Sequence, residues 1–548
     1  MTVRTFFCFF LLWTILISMG AAQDSEPAAT QASLAAADAL HDAGKLDDAA
    51  RIYESLLNGD PNLWHARAEL MRVRLRQQRT DDAYELGKAG LALPAHTAEL
   101  LAAMGDVQFR RGEMVDAEQN YLHAKRVNPR EMHAYLGLAR LYGAYSLHRR
   151  AYDQLKAAHE IAPSDLEVER EWFRMLPRRE RLQAIKDYLA APHPDDHREN
   201  TWLEQYAAFL SATVNKPAHA CRLVSTVERT QTPLVLLLLD ASHLRGYGLH
   251  VKLNDRASNL MLDTGASGIA IGRKAAERAG LERISHISIG GIGDKGLQSG
   301  YTAVARKIRI GELEFEDCVV EVSDRTSLAE EDGLIGADVF SSYLIDLDGP
   351  GKMMRLSPLP KRPEDTTVAT ALNTDEDDAD EDEDATKQPK TNREPLLPKD
   401  RYVAPEMASW TKVFRFGHQL LIPTHVNDLP SMLFAIDTGS QLNLISTTAA
   451  RKATKVHRDD YMTVTGVNGA VDKVYSADKV KLHFSHLAQQ NEDIVTLDLS
   501  GLSKDVGTEV SGLLGFALLN LLELKLDYRD GLVDFSYDTK RLPPPLGR

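Results

Sequence analysis

This chain of 548 residues has few cysteines, no excess of positive charge and few long apolar runs. Three Cys exclude a disulfide-built scaffold, and their spacing contains no pair typical of zinc sites. Acidic residues outnumber basic ones by 79 to 64, so we expect no nucleic-acid partner. The rest is ordinary for folded protein, with 43% hydrophobic and 26% charged residues, at a length that predicts about three or four domains.

The one long apolar run lies at the N-terminus. Arg4 precedes the largely apolar residues 6–19, and Gly20, Ala21 and Ala22 follow before the chain turns polar. This pattern predicts a secretory signal peptide over residues 1–22, because a membrane helix needs roughly 20 apolar residues. We therefore expect an exported protein, periplasmic or extracellular, with no stable membrane span after signal cleavage. An uncleaved anchor is the alternative.

Signal cleavage removes Cys8 and leaves Cys221 and Cys318. These two residues could form a disulfide bond in an oxidising compartment. We favour the other interpretation, two small buried thiols, because free Cys is among the most buried residue types.

Residues 30–165 repeat with a period of 34 residues. An alanine recurs at the same point of each unit and a proline closes it: Ala49, Ala83, Ala117, Ala151, and Pro61, Pro94, Pro129, Pro163. Small residues let two antiparallel helices approach closely, and the proline ends the second helix. The pattern resembles the tetratricopeptide repeat (TPR) in four copies, and further helices are expected to cap the solenoid as far as residue 230. A plain helical bundle with coincidental spacing is the alternative.

From residue 231 onwards, short alternating β-rich runs replace the helical pattern, and they occur twice. The segment LHVKLNDRASNLMLDTGAS (249–267) is echoed by LIPTHVNDLPSMLFAIDTGS (421–440). Each copy later reaches an apolar-apolar-Gly segment, GLIG at 333–336 and GLLG at 512–515. The repetition predicts two related β-rich lobes, over residues 231–358 and 401–548.

Residues 359–400 separate the two lobes. Within them the block DEDDADEDED (375–384) holds nine of the 15 excess negative charges. Like charges at that density repel one another and stay solvated, so we predict a disordered linker. A calcium-attracting or inhibitory segment is the alternative.

The duplicated unit places an aspartate at the end of each apolar strand, Asp263 and Asp437. Two related lobes packed about a pseudo-two-fold axis bring both carboxylates together. Because two carboxylates that close cannot both ionise, they share a proton. One can then activate a water as general base while the other protonates a peptide carbonyl oxygen, with neither metal nor cofactor.

The second half of the chain resembles the retropepsin-like aspartic proteases of the pepsin clan. The residues that carry the resemblance are Asp263-Thr264-Gly265, Asp437-Thr438-Gly439-Ser440 and the two apolar-apolar-Gly segments. The resemblance covers about half of the chain and implies a catalytic dyad of Asp263 and Asp437. It also implies that Thr264 and Thr438 bond across the axis and hold the dyad rigid. We attribute the glycine that follows each threonine to the sharp turn of the chain there.

Two hairpins, one per lobe, are expected to cover the cleft as flaps. Their turn residues are Gly291, Ile292 and Gly293 in HISIGGIGDKGLQSGYTAV (286–304), and Gly466, Asn468 and Gly469 in YMTVTGVNGAVDKVYSA (461–477). The first turn formally matches a dinucleotide fingerprint, but β-forming residues follow where a helix should begin. Asn468-Gly469 is typical of a two-residue hairpin turn. Two flaps favour the retropepsin arrangement over that of pepsin, which has one.

The sequence thus predicts a multidomain α plus β protein, in which a TPR-like α-solenoid precedes a bilobal retropepsin-like aspartic protease. We expect an exported aspartic endopeptidase that binds a polypeptide between its lobes. The concave face of the solenoid could recruit either substrates or a protein partner, and the sequence does not distinguish the two. The alternative is a catalytically silent peptide-binding scaffold with the same fold. The two intact Asp-Thr-Gly loops argue against that alternative.

Overall fold

The computed structural model describes residues 28–94, 96–191, 197–215, 221–238, 244–290, 297–325, 328, 331–363, 398–460, 462–466, 469–471 and 473–541. Helices fill the N-terminal part and strands the remainder, so the predicted α plus β class is confirmed. Among the helices of these ranges, none combines the length and apolarity that a membrane crossing requires. The predicted signal peptide (1–22) and most of the predicted linker (359–400) lie outside the described residues.

Eleven described α-helices form the N-terminal region, and the first eight pack as successive pairs. Their bounds are α1 (Ala28–Asp42), α2 (Leu46–Gly59), α3 (Trp64–Arg76), α4 (Thr80–Leu91), α5 (Ala98–Arg110), α6 (Met114–Val127), α7 (Met132–Ala144), α8 (His148–Ile161), α9 (Leu166–Trp172), α10 (Arg178–Ala190) and α11 (His197–Thr213).

The repeating small residues lie where these helices meet. Ala49, Ala83 and Ala117 are fully buried, and each closing proline follows the end of an even-numbered helix. At Gly105 a Cβ atom would lie 2.6 Å from the ring of Tyr121 on the next helix. The close approach of paired helices therefore depends on these positions, and the predicted helical repeat is confirmed.

The first strand-rich lobe contains β1 (Arg222–Leu223), β2 (Thr230–Pro233), β3 (Val235–Leu238), β4 (Leu244–Leu253), β5 (Arg256–Asp263), β6 (Ile269–Gly272), α12 (Arg273–Ala279), β7 (Glu282–Ile289), β8 (Gln298–Ile310), β9 (Leu313–Ser323), β10 (Gly333–Gly336), β11 (Tyr343–Asp348) and β12 (Met353–Pro358). The second contains β13 (Thr411–Lys412), β14 (Phe414–Phe416), β15 (Gln419–Val426), β16 (Met432–Asp437), β17 (Leu444–Ser446), α13 (Thr447–Ala453), β18 (Val456–Arg458), β19 (Thr465–Gly466), β20 (Gly469–Ala470), β21 (Tyr475–Ala477), β22 (Val480–Phe484), β23 (Leu487–Asn491), β24 (Ile494–Leu497), α14 (Ser500–Val506), β25 (Gly512–Gly515), α15 (Phe516–Leu519), β26 (Glu523–Asp527) and β27 (Leu532–Ser536).

The two lobes repeat one strand arrangement. In the first, β10 lies between β5 and β6, parallel to β5, with Gly336 opposite Asp263. In the second, β25 lies between β16 and β17, parallel to β16, with Gly515 opposite Asp437. All residues of both apolar-apolar-Gly strands are buried. The duplication seen in the sequence is therefore a duplication of sheet topology and register.

A six-stranded sheet joins the lobes, in the order β13-β27-β26-β11-β12-β2. Its central pairing, β11 with β26, crosses from one lobe to the other and sets Ile345 opposite Leu526. Both side chains are fully buried. The lobes therefore share backbone hydrogen bonds and apolar packing along this sheet.

The buried carboxylate of Asp530 joins the two ends of the chain that flank residues 364–397. The guanidinium of Arg362 donates to Asp530 Oδ1 at 2.6 Å, and the backbone N–H of Tyr402 donates to the same oxygen at 2.8 Å. Arg529 donates to Oδ2 at 2.8 Å. The chain therefore leaves and re-enters the described structure at a single carboxylate, which we call the Asp530 junction.

The solenoid packs directly on the second lobe. Thr508 Oγ1 donates to the carbonyl of Phe109 at 2.7 Å, and the N–H of Glu509 donates to the carbonyl of Arg110 at 2.8 Å. The ring of Phe109 also lies 5.9 Å from that of Phe416 in β14. The C-terminal end of α5 is thus attached to the lobe through both hydrogen bonds and ring packing.

Cys221 and Cys318 form a disulfide bond, which corrects our interpretation of them as two free buried thiols. The physical reason is strand pairing. Cys221 directly precedes β1, and β1 pairs with β9, which contains Cys318, so that Arg222 lies opposite Glu316. Strand pairing in this half of the chain thus begins within the range predicted as capping helices.

Replacing Asp530 by Asn should lower the free energy of unfolding by about 1.5–3 kcal/mol, because it weakens the charge-assisted hydrogen bonds that Arg362 and Arg529 make with the buried carboxylate. The urea unfolding midpoint measures this effect. Asp534→Asn, on the partly exposed face of β27, is the matched control and should change the midpoint little. Equal midpoints for the two variants would contradict a stabilising role for the junction.

Candidate active site

Two loops, one from each lobe, meet at the axis between the lobes. β5 ends at Asp263 and β16 ends at Asp437. The residue before each aspartate, Leu262 or Ile436, is fully buried. Each strand is held in register beside its apolar-apolar-Gly strand, so the sheet determines where each carboxyl group emerges.

Thr264 and Thr438 exchange hydrogen bonds across the axis. Thr264 Oγ1 donates to the carbonyl of Ile436 at 2.7 Å and accepts from the N–H of Thr438 at 3.0 Å. Thr438 Oγ1 donates to the carbonyl of Leu262 at 2.9 Å and accepts from the N–H of Thr264 at 3.0 Å. Both side chains are buried, so each hydroxyl fixes the opposite loop through a donor and an acceptor.

The chain turns at Gly265 and Gly439 as predicted, with the N–H of Ala266 donating to the carbonyl of Asp263 at 3.2 Å and that of Ser440 to the carbonyl of Asp437 at 3.3 Å, and close approach adds a second requirement for glycine. Neither has a positive φ angle. A Cβ atom at Gly265 would lie 2.9 Å from Cγ of Asp437, and one at Gly439 would lie 2.4 Å from Cγ of Asp263. Any side chain at either position would therefore collide with the carboxyl group of the opposite lobe.

The two carboxyl groups are adjacent, because a Cβ atom at Gly265 would lie 2.9 Å from Asp437 Oδ1 and 3.2 Å from Asp263 Oδ1. Burial and the negative charge of Asp437 raise the pKa of Asp263 well above its usual range. Burial also raises the pKa of Asp437, but its Oδ1 accepts backbone N–H groups from Gly439 and Ser440, each at 3.0 Å. Asp263 accepts from the N–H of Gly265 at 2.8 Å, and the N–H of Gly439 also lowers its pKa. The interaction between the two carboxyl groups raises the pKa of Asp263 and opposes the rise at Asp437, so the shared proton lies mainly on Asp263.

Sequence analysis missed His418 and Gln419 at the start of β15. Gln419 Nε2 donates to the carbonyl oxygen of Gly265 at 2.7 Å, and His418 Nε2 lies 3.1 Å from the same oxygen. Burial lowers the pKa of His418, while the nearby carboxylates of Asp338 and Asp437 oppose that shift. A protonated His418 in turn lowers the pKa of Asp437. The second lobe thus supports the first-lobe loop with a group that can titrate.

The predicted flaps are only partly within the described residues. β7 and β8 form an antiparallel hairpin in the first lobe, with Ile289 opposite Gln298. Its predicted turn residues Gly291, Ile292 and Gly293 lie outside the described residues, as does Asn468 of the second lobe. Gly466 and Gly469 are described and pair with each other in the short hairpin β19–β20.

One continuous cavity of about 4120 Å³ contains the aspartate pair. Its walls include Asp263, Asp437 and His418, together with Ser288 from β7 and Gly466 from β19. Residues of the solenoid line the same cavity. Within the described ranges, no cluster of three or more His, Cys, Asp or Glu side chains has a geometry that could hold a metal ion.

Comparison with known proteins agrees with this geometry. Residues 249–339 match the aspartyl protease family. The matched stretch runs from β4 to the segment after β10, and so it contains Asp263 and its apolar-apolar-Gly strand. No curated protein matches the chain.

Three solved structures show partial likeness. An aspartic proteinase from Irpex lacteus covers 57% of this chain and 98% of its own, at 11% identity and a TM-score of 0.33. A thermophilic TPR protein of Thermus thermophilus covers 33% of this chain and 98% of its own, at 21% identity and a TM-score of 0.27. MamA protein covers 29% of this chain and 90% of its own, at 23% identity and a TM-score of 0.20. The fold assignment rests on the helix repeat and the strand register described above.

Replacing Thr264 by Val should lower the free energy of unfolding by about 2–4 kcal/mol. The valine keeps the shape but leaves the carbonyl of Ile436 and the N–H of Thr438 unsatisfied in a buried position. Thermal unfolding followed by circular dichroism measures the loss. Thr264→Ser keeps the hydroxyl and should retain most of the stability; a serine variant as unstable as the valine variant would refute the hydrogen-bond explanation.

Replacing His418 by Gln should move the acid limb of the pH–activity profile to higher pH. In acid, protonated His418 opposes the uptake of a second proton by the aspartate pair, and Gln removes that positive charge. Because the lowered pKa leaves His418 neutral near pH 7, the alkaline limb should not move. His418→Lys keeps a charge at all these pH values and should restore the acid limb. An unchanged acid limb in the Gln variant would contradict the electrostatic role of His418.

Proposed function

We propose that the protein is an exported aspartic-type endopeptidase whose active groups are Asp263 and Asp437. The observation that supports this most strongly is the half-buried pair of adjacent carboxyl groups at the interlobe axis, fixed by the crossed threonine contacts. The match of residues 249–339 to the aspartyl protease family supports the same class of reaction. Thr264, Gly265, Thr438, Gly439 and Ser440 support the pair rather than react.

The proposed reaction needs only the two carboxyl groups and a water. Asp437, whose ionised form accepts two backbone N–H groups, takes a proton from the water while the water oxygen attacks the peptide carbonyl carbon. Asp263 gives its proton to the carbonyl oxygen, which forms a tetrahedral diol. Asp437 then passes its proton to the amide nitrogen while one hydroxyl of the diol returns its proton to Asp263. The C–N bond breaks, and the carboxyl pair regains its starting state.

The substrate is proposed to be an extended polypeptide in the cavity between the lobes. The first-lobe hairpin β7–β8 and the short hairpin β19–β20 border this cavity through Ser288 and Gly466. Strand edges at such positions can pair with a peptide backbone, while alternate side chains enter pockets. Residues of the solenoid line the same cavity, so the polypeptide that the solenoid binds is proposed to be one that also enters the cleft.

Export is proposed from the signal-peptide pattern at residues 1–22. The disulfide bond between Cys221 and Cys318 supports this, because such bonds persist mainly in oxidising compartments outside the cytoplasm. The periplasm and the extracellular medium fit equally well.

Replacing either Asp263 or Asp437 by Asn should reduce peptide cleavage by at least about 10²–10⁴-fold, because proton transfer needs both carboxyl groups. Protein beginning at Gln23 is incubated with a denatured-peptide mixture between about pH 3 and pH 7. Cleavage sites are read by mass spectrometry.

The matched controls are Asp255→Asn and Asp428→Asn, exposed aspartates at equivalent turns of the two lobes. Both should cleave like the parent, and the parent should be insensitive to chelators. Cleavage that survives in Asp437→Asn would refute the proposed mechanism. Absence of cleavage by folded parent protein at every pH would favour the peptide-binding scaffold instead.

A further inference from the structure

Exposed apolar side chains concentrate in the cavity that holds the aspartate pair. Of the nine large apolar side chains that are exposed in the described part of the chain, five line this cavity: Met175, Trp202, Leu297, Leu442 and Met462. They come from three parts of the molecule, namely the end of the solenoid, the two strand hairpins and the segment after the second aspartate loop. Clustered exposed apolar groups are typical of binding surfaces rather than of free surface.

Helix α11 of the solenoid lies against the first-lobe hairpin. The amide of Gln205 makes two hydrogen bonds with Ser288 in β7: it accepts from the Ser288 N–H and donates to the Ser288 Oγ, both at 3.0 Å. Trp202 lies three residues before Gln205, so both occupy one face of the helix. The solenoid is therefore joined to the side of the cleft opposite its attachment to the second lobe.

Trp202 presents a large exposed surface at this place. Its side chain is 59% exposed, and its ring stacks on Tyr206 with centroids 5.2 Å apart. The phenol oxygen of Tyr206 accepts a hydrogen bond from Arg181 at 2.8 Å, which holds the ring of Tyr206 in position beneath the indole. The outer face of the indole is thus a rigid apolar platform inside the cavity.

The charged side chains of the solenoid that line the cavity are less available to a ligand than the apolar ones. Arg72 pairs with Asp106 at 3.3 Å, and Arg140 pairs with Glu171 at 3.0 Å. Because these charges are already paired and partly buried, a ligand would have to compete with them. The apolar side chains are therefore the groups through which this side of the cavity can bind.

We infer that helix α11 forms a remote substrate-binding site of the catalytic cleft, at which Trp202 anchors an apolar side chain of an unfolded polypeptide well away from the bond that is cut. This inference rests on the proposed protease function and specifies its substrate as extended chains with spaced hydrophobic residues. The cavity volume of about 4120 Å³ exceeds the roughly 300–1,000 Å³ of small-molecule pockets, which suits a polypeptide segment. Leu297, Leu442 and Met462 line the same cavity as Trp202.

The first test compares substrate lengths. An eight-residue peptide containing a cleavage site found for the parent protein is assayed alone and with a 20-residue unstructured extension that carries Leu or Phe at every fourth position. The parent should show a higher kcat/KM for the hydrophobic extension than for the same extension with Ser. In Trp202→Ala, the ratio of long to short kcat/KM should fall about ten-fold or more, as expected for loss of one buried aromatic contact.

Tyr537→Ala is the matched control, because Tyr537 is 49% exposed and lies outside the cavity lining. Its ratio should equal that of the parent. An equal ratio in Trp202→Ala, or no advantage of the hydrophobic extension over the Ser extension, would overturn the inference.

The second test does not depend on turnover. Fluorescence anisotropy measures the Kd of the labelled hydrophobic peptide for the Asp437→Asn protein and for the same protein with Trp202→Ala. We expect the Kd to rise about ten-fold in the double variant. An unchanged Kd would overturn the remote site even if the parent protein is an active protease. If the Kd rises but the parent protein cleaves no peptide, the result would support the site and reject the proposed hydrolysis.

Discussion

The centre of this molecule depends on keeping two half-buried carboxyl groups next to each other. Burial and mutual repulsion both disfavour their ionised forms, so the pair can persist only if the surrounding backbone cannot move apart. The crossed contacts of Thr264 and Thr438 prevent this locally, and the shared six-stranded sheet prevents it across the whole interface. The absence of a side chain at Gly265 and Gly439 leaves the space that the carboxyl groups occupy.

Two of the places at which the solenoid is attached to the strand-rich half are the C-terminal end of α5 and the helix α11. One attachment is to the second lobe and the other to the hairpin of the first. A helical array held at both places cannot tilt freely, so its inner face keeps a constant relation to the cleft. The paired charges of Arg72 with Asp106, which are 34 residues apart, show that the repeat period also organises the polar wall.

How far the sequence could predict this arrangement depends on the range of each interaction. The helix repeat, the duplicated lobe and the two aspartates are visible in the chain because each is a pattern copied within it. The turn at Gly265 was predicted, but its crowding was not, since the group that crowds it belongs to the other lobe. The bond between Cys221 and Cys318 follows from strand pairing over 97 residues. His418 was missed because its partner is a backbone carbonyl, which every residue has and which therefore forms no sequence pattern.

The Asp530 junction has a consequence for how the molecule can be divided. Since Arg362 and Tyr402 meet at one carboxylate, a cut between residues 363 and 398 would leave two fragments that both contribute to the Asp530 junction. Each fragment would carry one aspartate and half of the shared sheet, and neither would have a complete pair. Two separately inactive polypeptides that regain activity on mixing would then report reassembly of the lobes themselves.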